Sequence, residues 1–149
     1  MRLPAKNALK VLASAAIFIP SIVSADNQDV IDYREHIMKT LDEQTAAVGM
    51  ILSNAVPGDN AAAHLQAIAL TAQIALKAFE PKVPGGEAKP EVWSNWADFS
   101  KRMNEFAKNS LEAAALAKEK GYDDPALAAK IVDALPCKSC HDVYRKEKK

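Results

Sequence analysis

Residues 80–91, EPKVPGGEAKPE, hold three prolines and two glycines within twelve positions. No helix runs through such a stretch, because proline lacks the backbone N–H and crowds the carbonyl four residues earlier. It reads as a long connection across one end of the molecule. Helical patterns lie on both sides of it. Before it, residues 28–54 place Ile31, Met38, Leu41, Thr45, Val48 and Leu52 on one helical face. Pro57-Gly58 ends that helix, and Asp59 is the expected N-cap of a second, reaching Phe79 with a stripe of Leu65, Ala69, Ala72, Leu76 and Phe79. After it, Val92, Trp96, Phe99, Met103 and Phe106 recur at helical spacing in a third helix that runs to Lys120 and stops at Gly121. Asp124-Pro125 opens a fourth that carries the tail, with a kink or a fresh start expected at Pro136. No segment alternates with period two, so the expected fold is all-α, an antiparallel four-helix bundle.

The chain has 149 residues and no formal net charge. Residues 1–25 stand apart: Arg2, Lys6 and Lys10 precede an apolar run from Val11 to Val23 that ends in Val-Ser-Ala. This is the pattern of a cleaved secretory signal peptide, too short and too interrupted by Pro20 for a membrane span. Cleavage is expected after Ala25, leaving 26–149 as one domain of about −3 charge. That balance gives no electrostatic reason to bind nucleic acid or an anionic membrane.

The only two cysteines stand in PCKSCH, at Cys137 and Cys140, with His141 directly after. Cys-x-x-Cys alone serves a disulfide, a redox pair or half a zinc site. A redox pair of the thioredoxin kind needs a βαβ setting, and a structural zinc needs four ligands where this segment offers three. On a helix the thiols share one side and His141 lies on the same face one turn along. Both sulfurs can then bond one haem while the imidazole reaches its iron, and Cys-x-x-Cys-His is the signature of covalent haem c attachment. The second axial position decides the chemistry. The histidines and methionines available are His36, His64, Met38, Met50 and Met103. Met38 lies on the apolar face of the first helix, His36 is about 200° round from it, His64 flanks its helix's stripe, and Met103 fits as core filler.

The tail CKSCHDVYRK, the first-helix segment DYREHIMKT and the run GGEAKPEVWSNWADF together resemble the cytochrome c-prime family, the class II c-type cytochromes, across essentially the whole mature chain. The resemblance implies one haem c on Cys137 and Cys140, near the C-terminus of the bundle, with His141 as proximal ligand. It places the distal position five residues after Tyr33, at Met38, and a methionine there is similar to the low-spin branch. It also implies Arg34 beside the haem propionates and Arg145 as a basic residue on the proximal side. The expectation is therefore a periplasmic, non-enzymatic electron carrier with His141 and Met38 on the iron. The alternative is a five-coordinate, high-spin member that binds nitric oxide or carbon monoxide. Expected partners are acidic faces of periplasmic redox proteins, and a second copy of the chain, since homodimers are common in the family. Trp93, Trp96 and Phe99 are expected to pack the core and the haem pocket.

Overall fold

A computed structural model describes residues 26–147, so the expected signal peptide lies outside the described residues. They form six helices: α1 (Asn27–Leu52), α2 (Ala61–Phe79), α3 (Glu91–Ser94), α4 (Trp96–Lys120), α5 (Pro125–Ala134) and α6 (Cys137–Tyr144). The expected four-helix bundle is present: α1, α2 and α4 are three of its columns, and α5 with α6 make the fourth. None of these helices is long and apolar enough to cross a membrane.

α1 starts on a reciprocal cap, in which Asp26 Oδ1 accepts from the Asp29 N–H while Asp29 Oδ2 accepts from the Asp26 N–H. Its buried face is Arg34, Ile37, Leu41, Val48 and Ile51, which keeps Leu41 and Val48 of the expected stripe and has Ile37 and Ile51 in place of Met38 and Leu52. Ile31, Met38 and Thr45, seven apart, are half-buried because they face a cavity instead of a neighbouring helix. α2 begins at Asn60, not Asp59, and neither that residue's side chain nor any other closes its first turn. Pro57-Gly58 packs differently from a free turn: Gly58 is buried under the ring of Tyr122, which ties the α1–α2 connection to the α4–α5 connection.

The third predicted helix is broken at Asn95, whose φ of −120° and ψ of 45° leave the helical region, so a single turn, α3, precedes α4. The fourth is broken at Leu135 and Pro136, and the fresh start expected there is what occurs. Asp124 caps α5 by accepting from the Ala126 N–H at 2.7 Å.

α2 packs on α1 and on α4, and α4 packs on α5. Alanines on α2 (Ala72, Ala75) and α4 (Ala107, Ala114) are fully buried and permit close approach. α1 has no comparable contact with α5 or α6. The bundle is thus closed along three seams and open along the fourth. The loop after α2 bridges that seam at one end, where the Lys89 N–H donates to the Tyr144 carbonyl at 2.9 Å and the Lys146 N–H to the Glu87 carbonyl at 2.8 Å.

A Cβ at Gly58 would overlap the Tyr122 ring, whereas one at exposed Gly49 would meet nothing. Gly58→Ala is expected to cost about 1–3 kcal/mol through overpacking, and Gly49→Ala to add roughly 0.5–1 kcal/mol by removing glycine from a helix. Urea unfolding of the purified protein followed by circular dichroism measures both.

Candidate functional site

The open seam is a cavity of about 900 Å³ between α1, α4 and α6. α6 supplies one wall. Cys137, Cys140, His141 and Tyr144 fall at i, i+3, i+4 and i+7, and all four line the cavity. The cysteines are free thiols, Cys137 exposed at the rim and Cys140 half-buried. Burial pushes the Cys140 thiol above its usual value, the reverse of what a redox-active pair requires. Burial, and next the charge of Arg145, push His141 below its usual value, so its imidazole is neutral at neutral pH with a lone pair to offer a metal. Among the described residues no group of three or more His, Cys, Asp or Glu is placed to hold a metal, which leaves the zinc reading without a ligand set.

α1 supplies the opposite wall. Met38 lines the cavity, and Arg34, one turn earlier, is only 3% exposed. A buried guanidinium needs partners. Arg34 Nη1 donates to the Val83 carbonyl at 2.7 Å, and its guanidinium carbon stands 5.2 Å from the ring centres of both Phe79 and Trp93. Its Nη2 is buried with no partner. Burial lowers the pKa of this arginine, with the charge of Glu35 opposing. Arg34 lines the cavity as a fixed cation, which suits a ligand that carries a carboxylate. Two thiols and an imidazole on one wall, and that guanidinium on the other, fit a haem with its propionates.

α4 makes the floor with Phe99, Met103 and Phe106. Trp93 and Trp96 stand behind it: Trp96 packs on Phe99 at 5.7 Å between ring centres, and Trp93 Nε1 donates to the Phe79 carbonyl at 2.9 Å. Met103 is core, as expected, and also cavity wall. Arg145 lines the cavity as well, half-buried at the C-cap of α6, its N–H donating to the His141 carbonyl at 3.0 Å. His36 is exposed, and His64 bonds Gln44 Oε1 at 2.8 Å beside a separate, smaller hollow, so neither faces the cavity.

Sequence reading missed one group. The Tyr144 hydroxyl donates to Asp98 Oδ2 at 2.5 Å, Arg102 Nε donates to the same oxygen at 2.6 Å, and Asn95 Nδ2 donates to the Tyr144 oxygen at 3.2 Å. The hydrogen bond from Tyr144, then that from Arg102, hold the Asp98 carboxyl below its usual range. The i, i+4 spacing of Asp98 and Arg102 was visible. Their partner 46 residues away was not.

Residues 29–145 match the family described as Cytochrome C'. The chain is 29% identical to cytochrome c' of Alcaligenes xylosoxydans xylosoxydans over 83% of this chain and 98% of that protein. It is also 29% identical to cytochrome c' of Rubrivivax gelatinosus, over 80% and 95%. Among solved structures, ferric cytochrome c prime from Alcaligenes xylosoxidans superposes with a TM-score of 0.74 at 29% identity, covering 83% of this chain and 98% of that one. A nitric oxide complex of a variant of that protein gives 0.71 at 26% identity, covering 84% and 100%. These likenesses overturn the expectation of a low-spin electron carrier with His141 and Met38 both on the iron. The relatives are cytochromes c' themselves, and a haem that takes nitric oxide needs an axial position that a resident thioether would fill.

Burial and the bond to Asp98 raise the pKa of Tyr144 from 10.0 to about 12. The folded state therefore holds this proton more tightly than the unfolded chain. The stability so gained is full below pH 10 and is lost as pH rises towards about 12. Tyr144→Phe is expected to flatten that alkaline limb, as read from unfolding midpoints of both proteins across the interval.

Proposed function

The chain belongs to the cytochrome c' family and carries one haem c, bonded through Cys137 and Cys140; from that membership we infer that it is a periplasmic gas-binding cytochrome. His141 would be the residue that holds the iron, Met38 would wall the cavity without ligating it, and nitric oxide or carbon monoxide would be the ligand taken up. The observation that carries this reading is the likeness to a cytochrome c prime solved as its nitric oxide complex.

The bound haem supplies an iron that changes between two oxidation states and keeps one exchangeable position. The chain supplies the rest. The thiols would fix the group on the α6 wall, and His141, held neutral by burial, lines the same cavity. Arg34 lines the cavity with a fixed positive charge that would offset a carboxylate brought into it. Met38, Met103 and Phe106 line the cavity with apolar surface that excludes water. No histidine stands beside Met38, since His36 is exposed and His64 is at the other hollow. That arrangement supports binding over acid–base turnover. Export rests on the leader-like residues 1–25, and pairing of two copies is supported by exposed apolar side chains such as Leu70 and Leu111.

Titrating the dithionite-reduced protein with carbon monoxide tests the reading. Fast, stoichiometric binding to a high-spin ferrous form is expected, and Met38→Ala should speed association several-fold by removing the wall. Sharp, split low-spin bands indifferent to carbon monoxide would overturn it. Replacing both Cys137 and Cys140 by alanine should make the haem extractable with acidified solvent, while the native protein stays coloured.

A further inference from the structure

α6 is eight residues long, and its N-cap, Pro136, closes no side-chain bond. Cys137 is exposed, and Cys140 and His141 are half-buried against the cavity. A single side chain of this helix is buried, that of Tyr144, at 4% exposure. The backbone bonds from Lys89 and Lys146 hold the chain where α6 ends, but they act at its last residue and beyond. Within the helix body Lys89 Nζ donates to the Asp142 carbonyl at 2.9 Å and Cys140 packs against the core, but the buried anchor is Tyr144, one turn after His141 on the same face.

Tyr144 docks into a socket made by α4 and the residue before it. Its ring stands edge-on to Phe99, with centres 5.2 Å apart. Ring packing alone tolerates sliding and rotation about the helix axis, because apolar contact has no direction. The hydroxyl removes that freedom. It donates to Asp98 Oδ2 and accepts from Asn95 Nδ2, and Asp98 is itself fixed by Arg102, whose guanidinium carbon lies 5.9 Å from the Tyr144 ring centre. Asn95, Asp98 and Arg102 fall at i, i+3 and i+7, so a single rigid face presents all three. A charge-assisted O–H···O⁻ bond is short and directional.

The geometry points to Tyr144 and Asp98 as positioning residues for the proximal ligand: their hydrogen bond sets the rotation of α6, and with it the orientation of the His141 imidazole at the iron. This rests on the reading of His141 as the iron's protein ligand. The Tyr144 hydroxyl keeps its proton well above neutral pH, so the bond is made throughout the physiological range. The carboxylate also cancels the charge of Arg102 where α4 lines the cavity, and the bond therefore adds direction without adding net charge.

The haem-loaded full chain tests this with Tyr144→Phe, which keeps the ring, and Asp98→Asn, which acts from the other side of the same bond. Ferric electron paramagnetic resonance of native protein and both variants reads the axial ligand's orientation in either spin state, and thermal melting runs beside it. A shift and broadening of the g-values in both variants, larger than any change shared with an Asp98→Glu protein that restores an anionic acceptor, is the expected result. Unchanged g-values in Tyr144→Phe or in Asp98→Asn would overturn the proposal, even if melting falls, since a merely structural bond lowers stability without turning the imidazole. If one variant does not fold, the other decides. A native protein that is low-spin and deaf to carbon monoxide would sink the gas-binding reading alone, and the g-values would still judge the positioning role.

Discussion

Everything in this molecule is arranged around a seam that protein does not close. α2 joins α1 to α4 and α4 joins α5, but α1 and α6 face one another across a cavity of about 900 Å³. A bundle of this size would ordinarily fill that space with side chains, because unfilled apolar surface forfeits both burial and dispersion. Here Ile31, Met38 and Thr45 present a half-buried stripe to it, and Arg34 lines it with a guanidinium largely removed from water. Both are costs when the space is empty of ligand and gains when a planar, apolar group with carboxylates occupies it. The cofactor is in that sense part of the hydrophobic core, and the covalent bonds to Cys137 and Cys140 make it a permanent part.

The open seam also explains why so much of the bonding is concentrated at one end. The loop that follows α2 pairs with the end of α6 through Lys89 and Lys146, Lys146 Nζ donates to the Gly86 carbonyl at 2.8 Å, and Arg34 holds the Val83 carbonyl from α1. Gly86 has a φ of 59° and lies against Glu35 and Ile31, so the loop can run close to α1 only because no side chain intervenes. α1 and α6 are thereby joined through the loop instead of through each other, which fixes the spacing of the two cavity walls without occupying the cavity.

Much of this was legible in the sequence. The four columns of the bundle follow from the Pro- and Gly-rich interruptions, and the chemistry of the α6 wall from Cys137, Cys140 and His141, because spacing on a helix translates directly into a shared face. The face of α1 is legible at Leu41 and Val48 and differs at Met38 for a related reason: apolar periodicity marks whatever surface leaves water, and the surface at Met38 meets the cavity, not a helix. What stayed hidden depended on distant partners. Asn95 breaks a helix that its neighbours would continue, and Asp98 and Arg102 look like an ordinary exposed pair until Tyr144 arrives from the other end of the chain. The ligation state was misjudged because residue type at position 38 states what could reach the iron and says nothing of whether it does.

The alanines between α2 and α4 have a consequence at some distance from themselves. Ala72 and Ala75 on α2 and Ala107 and Ala114 on α4 are buried, and the α4 pair continues the helix face on which Phe99 and Met103 line the cavity. A methylene inserted between α2 and α4 cannot be absorbed locally in a close-packed interior. It must shift α4, and with it the part of the cavity wall that Phe99 and Met103 make. The caliper that sets the width of the pocket is therefore a column of methyl groups further along the same helix face, and drift in sequence there would be registered as a change in ligand binding before it was registered as a loss of fold.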